Sequence, residues 1–148
     1  MSLDGKTVLI TGAGKGIGRA TVAVLVKRGM HVIALSRTNA DLAEIEGEFG
    51  CRTIKVDLAD ANAARVAVRA ALPFDYLVNN AGIAALESVL DTTPETFDTV
   101  MAVNVRAPLI LSQEYARDLI ARGQKGAIVN VSSIAELVPM MRTMGLGN

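Results

Sequence analysis

Apolar residues along this chain follow two alternating rhythms. Short stretches such as Thr7–Thr11 and His31–Ser36 are apolar almost without interruption, as strands covered on both faces are. Between them apolar positions recur at helix-face spacing, as Ile17, Val22, Leu25 and Val26 do before Gly29 ends the pattern. The pattern predicts a helix from Gly16 to about Arg28. Asn39 is placed to cap a second helix, Ala40 to Phe49, closed by Gly50. A strand over Arg52–Val56 leads to a helix from about Asp60 to Ala71, broken by Pro73, and Phe74–Asn79 reads as the fourth strand. A long helix capped near Thr93-Pro94 runs past Asn104 to Arg122, and Gly123 to Gly126 turn the chain into a fifth strand, Ala127–Ser132. Five alternations without a repeat or linker predict an α/β fold. The expectation is a doubly wound parallel sheet with helices on both faces and a ligand at the carboxyl edge of the strands.

The residues with chemical potential fall on that edge. Gly12, Gly14, Lys15, Gly16, Ile17 and Gly18 follow the first strand and open the first helix. Strand, tight turn and helix N-terminus together suit a phosphate, because unpaired N–H groups and the helix dipole meet the anion and glycine allows close approach. A Walker loop is excluded, since the residue five after Gly12 is Ile17 and that after Gly14 is Arg19, where GxxxxGK[ST] needs glycine. After the second strand an NAD site usually carries Asp or Glu for the ribose hydroxyls. Here the place holds Ser36-Arg37, and the nearest acid, Asp41, lies inside the next helix. Arg37 suits a 2′-phosphate and an adenine face, and Lys15 adds a second cation, so the pattern favours NADP(H). Asp57, with Leu58, follows the third strand and is open to reading as a turn former or a ligand contact. Asn80, Ala81 and Gly82 follow the fourth, equally suited to close strand packing and to lining a site. Asn104 sits mid-helix, where a short amide is an indifferent helix former. Ser132 ends the fifth strand and Ser133 lies just past it.

Composition narrows the field. The chain has 148 residues, 51% hydrophobic, with two Tyr, three Phe and no Trp, which suits one domain with tightly packed helices. Fifteen basic and fifteen acidic residues cancel, so no general pull toward nucleic acid or anionic membrane is indicated. No uncharged apolar run approaches the ~20 residues of a membrane span. Cys51 is the only cysteine, which excludes an internal disulfide, fits a reducing compartment and makes cytoplasm the default. It reads as a small filler beside the third strand. No cysteine–histidine cluster suggests a metal, and His31 has no partner at ligand spacing.

The glycine spacing and the motifs after it resemble the classical short-chain dehydrogenase/reductases. The likeness runs through Asp57-Leu58, Asn79-Asn80-Ala81-Gly82, Asn104-Val105 and Ile128-Val129-Asn130-Val131-Ser132-Ser133 in the family's order. Within the family, Ser36-Arg37-Thr38, Leu119 to Gly123 and Gly126 to Asn130 are most similar to the branch that reduces L-xylulose and dicarbonyls. The resemblance implies a Rossmann-like fold, hydride transfer between NADP(H) and a small-molecule carbonyl or alcohol, and a homo-oligomer. It also assigns roles. Asp57 would bind the adenine amino group with Leu58 lending backbone, Asn80-Ala81-Gly82 would line the cofactor while steadying the sheet, Asn104 would hold a water in the proton path, and Ser133 would bond the substrate carbonyl.

One part of the pattern is missing. The family's acid/base is a tyrosine whose pKa, about 10 when unassisted, is lowered by a lysine in Tyr-x-x-x-Lys, shortly beyond the position of Ser133. Met140 to Asn148 contain neither residue. The expectation is a dinucleotide-binding domain over 1–135 and an atypical tail over 136–148, truncated after the fifth strand. Turnover would be impaired, the subunit interface incomplete, and the fifth strand a bare edge.

Overall fold

The computed structural model describes residues 2–85, 87, 88 and 90–133. The strands are β1 (Thr7–Thr11), β2 (His31–Ser36), β3 (Arg52–Lys55), β4 (Tyr76–Asn79) and β5 (Ala127–Asn130). The helices are α1 (Gly16–Lys27), α2 (Asn39–Phe49), α3 (Ala61–Ala71), α4 (Pro94–Met101) and α5 (Ala107–Arg122). All strand pairs are parallel, in the order β3-β2-β1-β4-β5. Strand order therefore reverses between β1 and β4, the point where an open α/β sheet leaves a crevice at its carboxyl edge.

Unbroken apolar strands are explained by two cores. Leu9, Ile33, Leu35 and Leu77 face one side and pack with Val68 of α3 and Leu111 and Tyr115 of α5. Val8, Ile10, Val32, Ala34 and Val78 face the other and pack with Val22 of α1 and Ile45 of α2. Cys51 is buried in this second core, and burial pushes its thiol pKa up, which suits a filler.

Three local expectations need correction. Thr38, not Asn39, is the N-cap of α2, and no side chain caps it. Strands three, four and five are shorter than the apolar runs suggested, because each run includes residues that lead into or out of the ladder. The single long helix is interrupted by a π-helical stretch, Ala102–Arg106, between α4 and α5. By contrast Asp60 caps α3 by accepting from the N–H groups of Asn62 and Ala63. Among the described residues no helix is long and apolar enough to cross a membrane.

Candidate cofactor and substrate site

The chain leaves β1 through a turn at Gly12, whose φ of 62° lies in the left-handed region. A Cβ on Gly12 would stand 2.8 Å from the Cα of Ala81. Gly18 meets the same turn from α1. A Cβ there would overlap the Gly12 carbonyl oxygen and lie 2.6 Å from Nδ2 of Asn80. Both positions are thus closed to any side chain, and the loop after β4 can seat directly on the glycine turn. α1 begins without a side-chain cap and without an acid in its first turn. Its leading N–H groups therefore have no competing acceptor from the helix itself, as a phosphate cradle requires. Lys15, Gly16 and Ile17 are exposed, so among the described residues no other segment covers the mouth.

Thr11 and Asn80 lock the two loops together. Thr11 Oγ1 accepts from the N–H groups of Asn80 and Ala81, both at 3.0 Å, while Asn80 Nδ2 donates to the carbonyls of Thr11 (3.0 Å) and Gly12 (3.2 Å). Asn80 spends its amide group on backbone, so its structural role is the visible one. Thr11 was missed by sequence reasoning, though a polar residue ending a buried apolar strand was the available signal.

Two clefts open along the carboxyl edge. The first, about 290 Å³, is lined by Gly12, Gly14, Lys15, Ser36, Arg37, Asp57, Leu58, Ala81 and Gly82 among others. With Val103 of the π-helical stretch, five segments distant in sequence converge there. Asp57 also accepts from the N–H of Ala59 at 3.0 Å, so it forms the turn and faces the cleft at once. Among the described residues Arg37 has no ion pair, whereas Lys15 lies 3.4 Å from Asp41. Asp41 itself lines this cleft. The sequence had set it aside as part of a helix, but a parallel α/β fold starts that helix at the same sheet edge.

The second cleft, about 750 Å³, is lined by Ile17, Asn80, Ala81, Gly82, Asn104, Ser132 and Ser133, with Ser112 and Asn130. Ala81, Gly82 and Ile83 border both clefts and join them. Asn104 occupies the middle of the π-helical stretch, and its side chain accepts from the N–H of Ile83 at 2.9 Å and donates to its carbonyl at 2.8 Å. The wider π turn presents an amide to the β4 loop, a use of such turns seen often at functional sites. Gly16 and Gly18 border neither cleft; Gly18 acts from beneath. A buried group to which the sequence assigned no role, Asn79, donates through Nδ2 to Ser112 Oγ (3.3 Å) and Asn130 Oδ1 (2.9 Å), tying β4 to the strand that leads to Ser133.

Neither tyrosine reaches these clefts. Tyr115 is buried, stacked on Phe74 with ring centroids 4.9 Å apart, and donates its hydroxyl to the carbonyls of Asp75 and Ala127. Those carbonyls lie at the amino ends of β4 and β5, opposite the site, and burial raises the phenol's pKa. Tyr76 begins β4 at that same end. The segment after Ser133, where the missing pair was sought, lies outside the described residues. Among the described residues no cluster of His, Cys, Asp or Glu could hold a metal.

Fold and clefts define an α/β protein of the Rossmann type, with its loops gathered at the switch point. The short chain dehydrogenase profile matches residues 6–145. L-xylulose reductase of Mesocricetus auratus is 52% identical over 136 residues, 91% of this chain and 56% of its own length. A metagenomic short-chain oxidoreductase solved in complex with NADP superimposes with a TM-score of 0.87 at 29% identity, over 99% of this chain and 73% of its own. A 4-hydroxyisoleucine dehydrogenase complexed with NADH gives 0.81 at 33%, over 90% and 58%. The chain belongs to the short-chain dehydrogenase family. It spans little more than half the length of the curated relatives it matches.

Proposed function

We propose that the chain is the cofactor-binding part of an NADP(H)-dependent oxidoreductase that transfers hydride between the nicotinamide and a small carbonyl or alcohol. The convergence of Gly12, Lys15, Arg37 and Asp57 on one cleft carries this reading. The residues fit the group. A pyrophosphate would rest on the amides opening α1, in the open space beside Gly16, where a Cβ would meet nothing within 4 Å. Arg37 and Lys15 would hold the 2′-phosphate, and Asp57 with Leu58 would meet the adenine. The nicotinamide supplies the hydride chemistry when bound. On the second cleft Asn104 fixes the Ile83 backbone that borders both clefts, and Ser133, which lines it, would bond a substrate oxygen. The likeness to an L-xylulose reductase supports a small sugar-like ketone as the substrate class, while a dicarbonyl substrate and a cytoplasmic setting rest on the sequence alone.

Turnover is a separate matter. The 148 residues hold no Tyr-x-x-x-Lys pair, and both tyrosines sit at the wrong edge of the sheet. A polypeptide of these residues is therefore expected to bind cofactor and to reduce L-xylulose or diacetyl poorly. Fluorescence titration tests the reading. Saturable NADPH binding, tighter than NADH and weakened about tenfold or more by Arg37→Met, is expected for loss of a charge-assisted phosphate contact. Equal affinities for the two cofactors, or an Arg37→Met variant that binds NADPH as its parent does, would remove the NADP(H) reading.

A further inference from the structure

The first cleft contains an acid that the phosphate reading does not use. Asp41 sits in the first turn of α2, with its side chain only 13% exposed. Gly14 leaves room for it: a Cβ on Gly14 would stand 2.8 Å from Asp41 Cβ, from its Oδ2, and from Ser36 Oγ. The carboxylate thus forms part of the cleft wall beneath the glycine loop, beside the Ser36-Arg37 corner, and not part of the solvent face of α2. Its ion-pair partner Lys15 is 3.4 Å away and 80% exposed.

We propose that Asp41 is a specificity-determining residue that holds back affinity for the 2′-phosphate and so narrows the preference for NADPH over NADH. This rests on the NADP(H) reading of the cleft. Two effects oppose each other at this position. Asp41 tethers Lys15, which would help a phosphate find its cation. An ion pair with so exposed a partner restrains it only weakly, however. Against this, a carboxylate and a phosphomonoester of nearly two negative charges would share a cleft of about 290 Å³. A space that small keeps them within a Debye length, roughly 8 Å at physiological ionic strength. Repulsion therefore outweighs the tether. With Asp41 present the wall carries Lys15 and Arg37 against Asp41 and Asp57; without it the two cations face Asp57 alone. NADH brings an uncharged ribose to the same place, where an acid is a tolerable hydroxyl acceptor.

The test uses the 148-residue chain and its Asp41→Asn variant, titrated with NADPH and NADH at several salt concentrations. Asp41→Asn is expected to tighten NADPH by about tenfold while NADH changes by less than about twofold, and to make NADPH binding fall more steeply with salt. A folded variant whose NADPH affinity is unchanged or weaker overturns the proposal. Should Asp41→Asn melt below the assay temperature, Asp41→Ser makes the same charge change and carries the same expectation. A parent chain that binds neither cofactor fails at the first titration and takes the NADP(H) reading with it, whereas the Asp41 proposal alone fails at the variant.

Discussion

Gly18 shows how much of the site depends on the absence of a side chain. Its α-carbon faces the Gly12 carbonyl and the Asn80 amide, both of them already fixed by the Thr11 hydroxyl and the β4 loop. Backbone cannot yield as a flexible side chain would. Gly18→Ala is expected to cost about 1–3 kcal/mol, a usual range for overpacking, and to abolish NADPH binding by displacing the turn that faces the phosphate. Denaturant melts and fluorescence titration of the same sample measure both effects. A variant of unaltered stability that still binds would show that the turn relaxes freely. Thr11 works on the same turn from the other side, where one hydroxyl satisfies two N–H groups that would otherwise be left unpaired at the sheet edge.

At the scale of elements, α3 and α5 are joined by a charge cluster remote from the clefts. The Glu114 carboxylate, only 6% exposed, meets Arg69 at 2.7 Å, Arg117 at 2.8 Å and Arg65 at 3.4 Å. The hydrogen bond from Arg69 is the largest influence holding the Glu114 carboxyl below the usual range, with burial opposing it. A carboxyl with a lowered pKa in the folded state stays ionised after its unfolded counterpart has taken up a proton. The cluster's contribution to stability is therefore complete above about pH 4.5 and is lost as pH falls through the folded value. Glu114→Gln should lower the melting temperature at pH 7 and flatten its decline below pH 4.5. If the variant's melting profile runs parallel to the parent's in acid, the cluster does not contribute in this way. Close to the clefts, the π-helical stretch separates α4 from α5 and turns Asn104 toward Ile83. Without it, the same residues in one regular helix would present that amide at a different angle.

At the scale of the whole molecule, the described residues leave two groups of large apolar side chains exposed. Phe97, Met101, Val105 and Leu109, four residues apart along α4, the π-helical stretch and α5, are each 40–56% exposed. At the described edge of the sheet, Ile128 and Val129 of β5 and the adjacent Val131 are also exposed. A stripe of this kind together with an edge strand favours association. A solution of the 148-residue chain is expected to show concentration-dependent light scattering. Leu109→Lys should reduce it while shifting stability by no more than about 0.5 kcal/mol, as surface changes do. Scattering that is independent of concentration, and indifferent to Leu109→Lys, would show that this face is not involved.

Sequence by itself determined the alternation of strand and helix, the edge of the sheet at which the cleft-lining loops gather, and the glycine turn, because each rests on local periodicity or on one residue's steric limits. It also placed Arg37 and Lys15 together, since both follow strands at the same edge. It did not reveal the π-helical interruption around Asn104, the role of Thr11, or the Asp41 carboxylate in the cleft wall. Those depend on which loop lies against which: the order reversal between β1 and β4 brings Asn80 onto Gly12, and the close approach of α2 to Gly14 brings Asp41 beside Lys15. Local chain chemistry specifies elements and their ends, while contacts between residues distant in sequence exist only once the sheet has set its strand order.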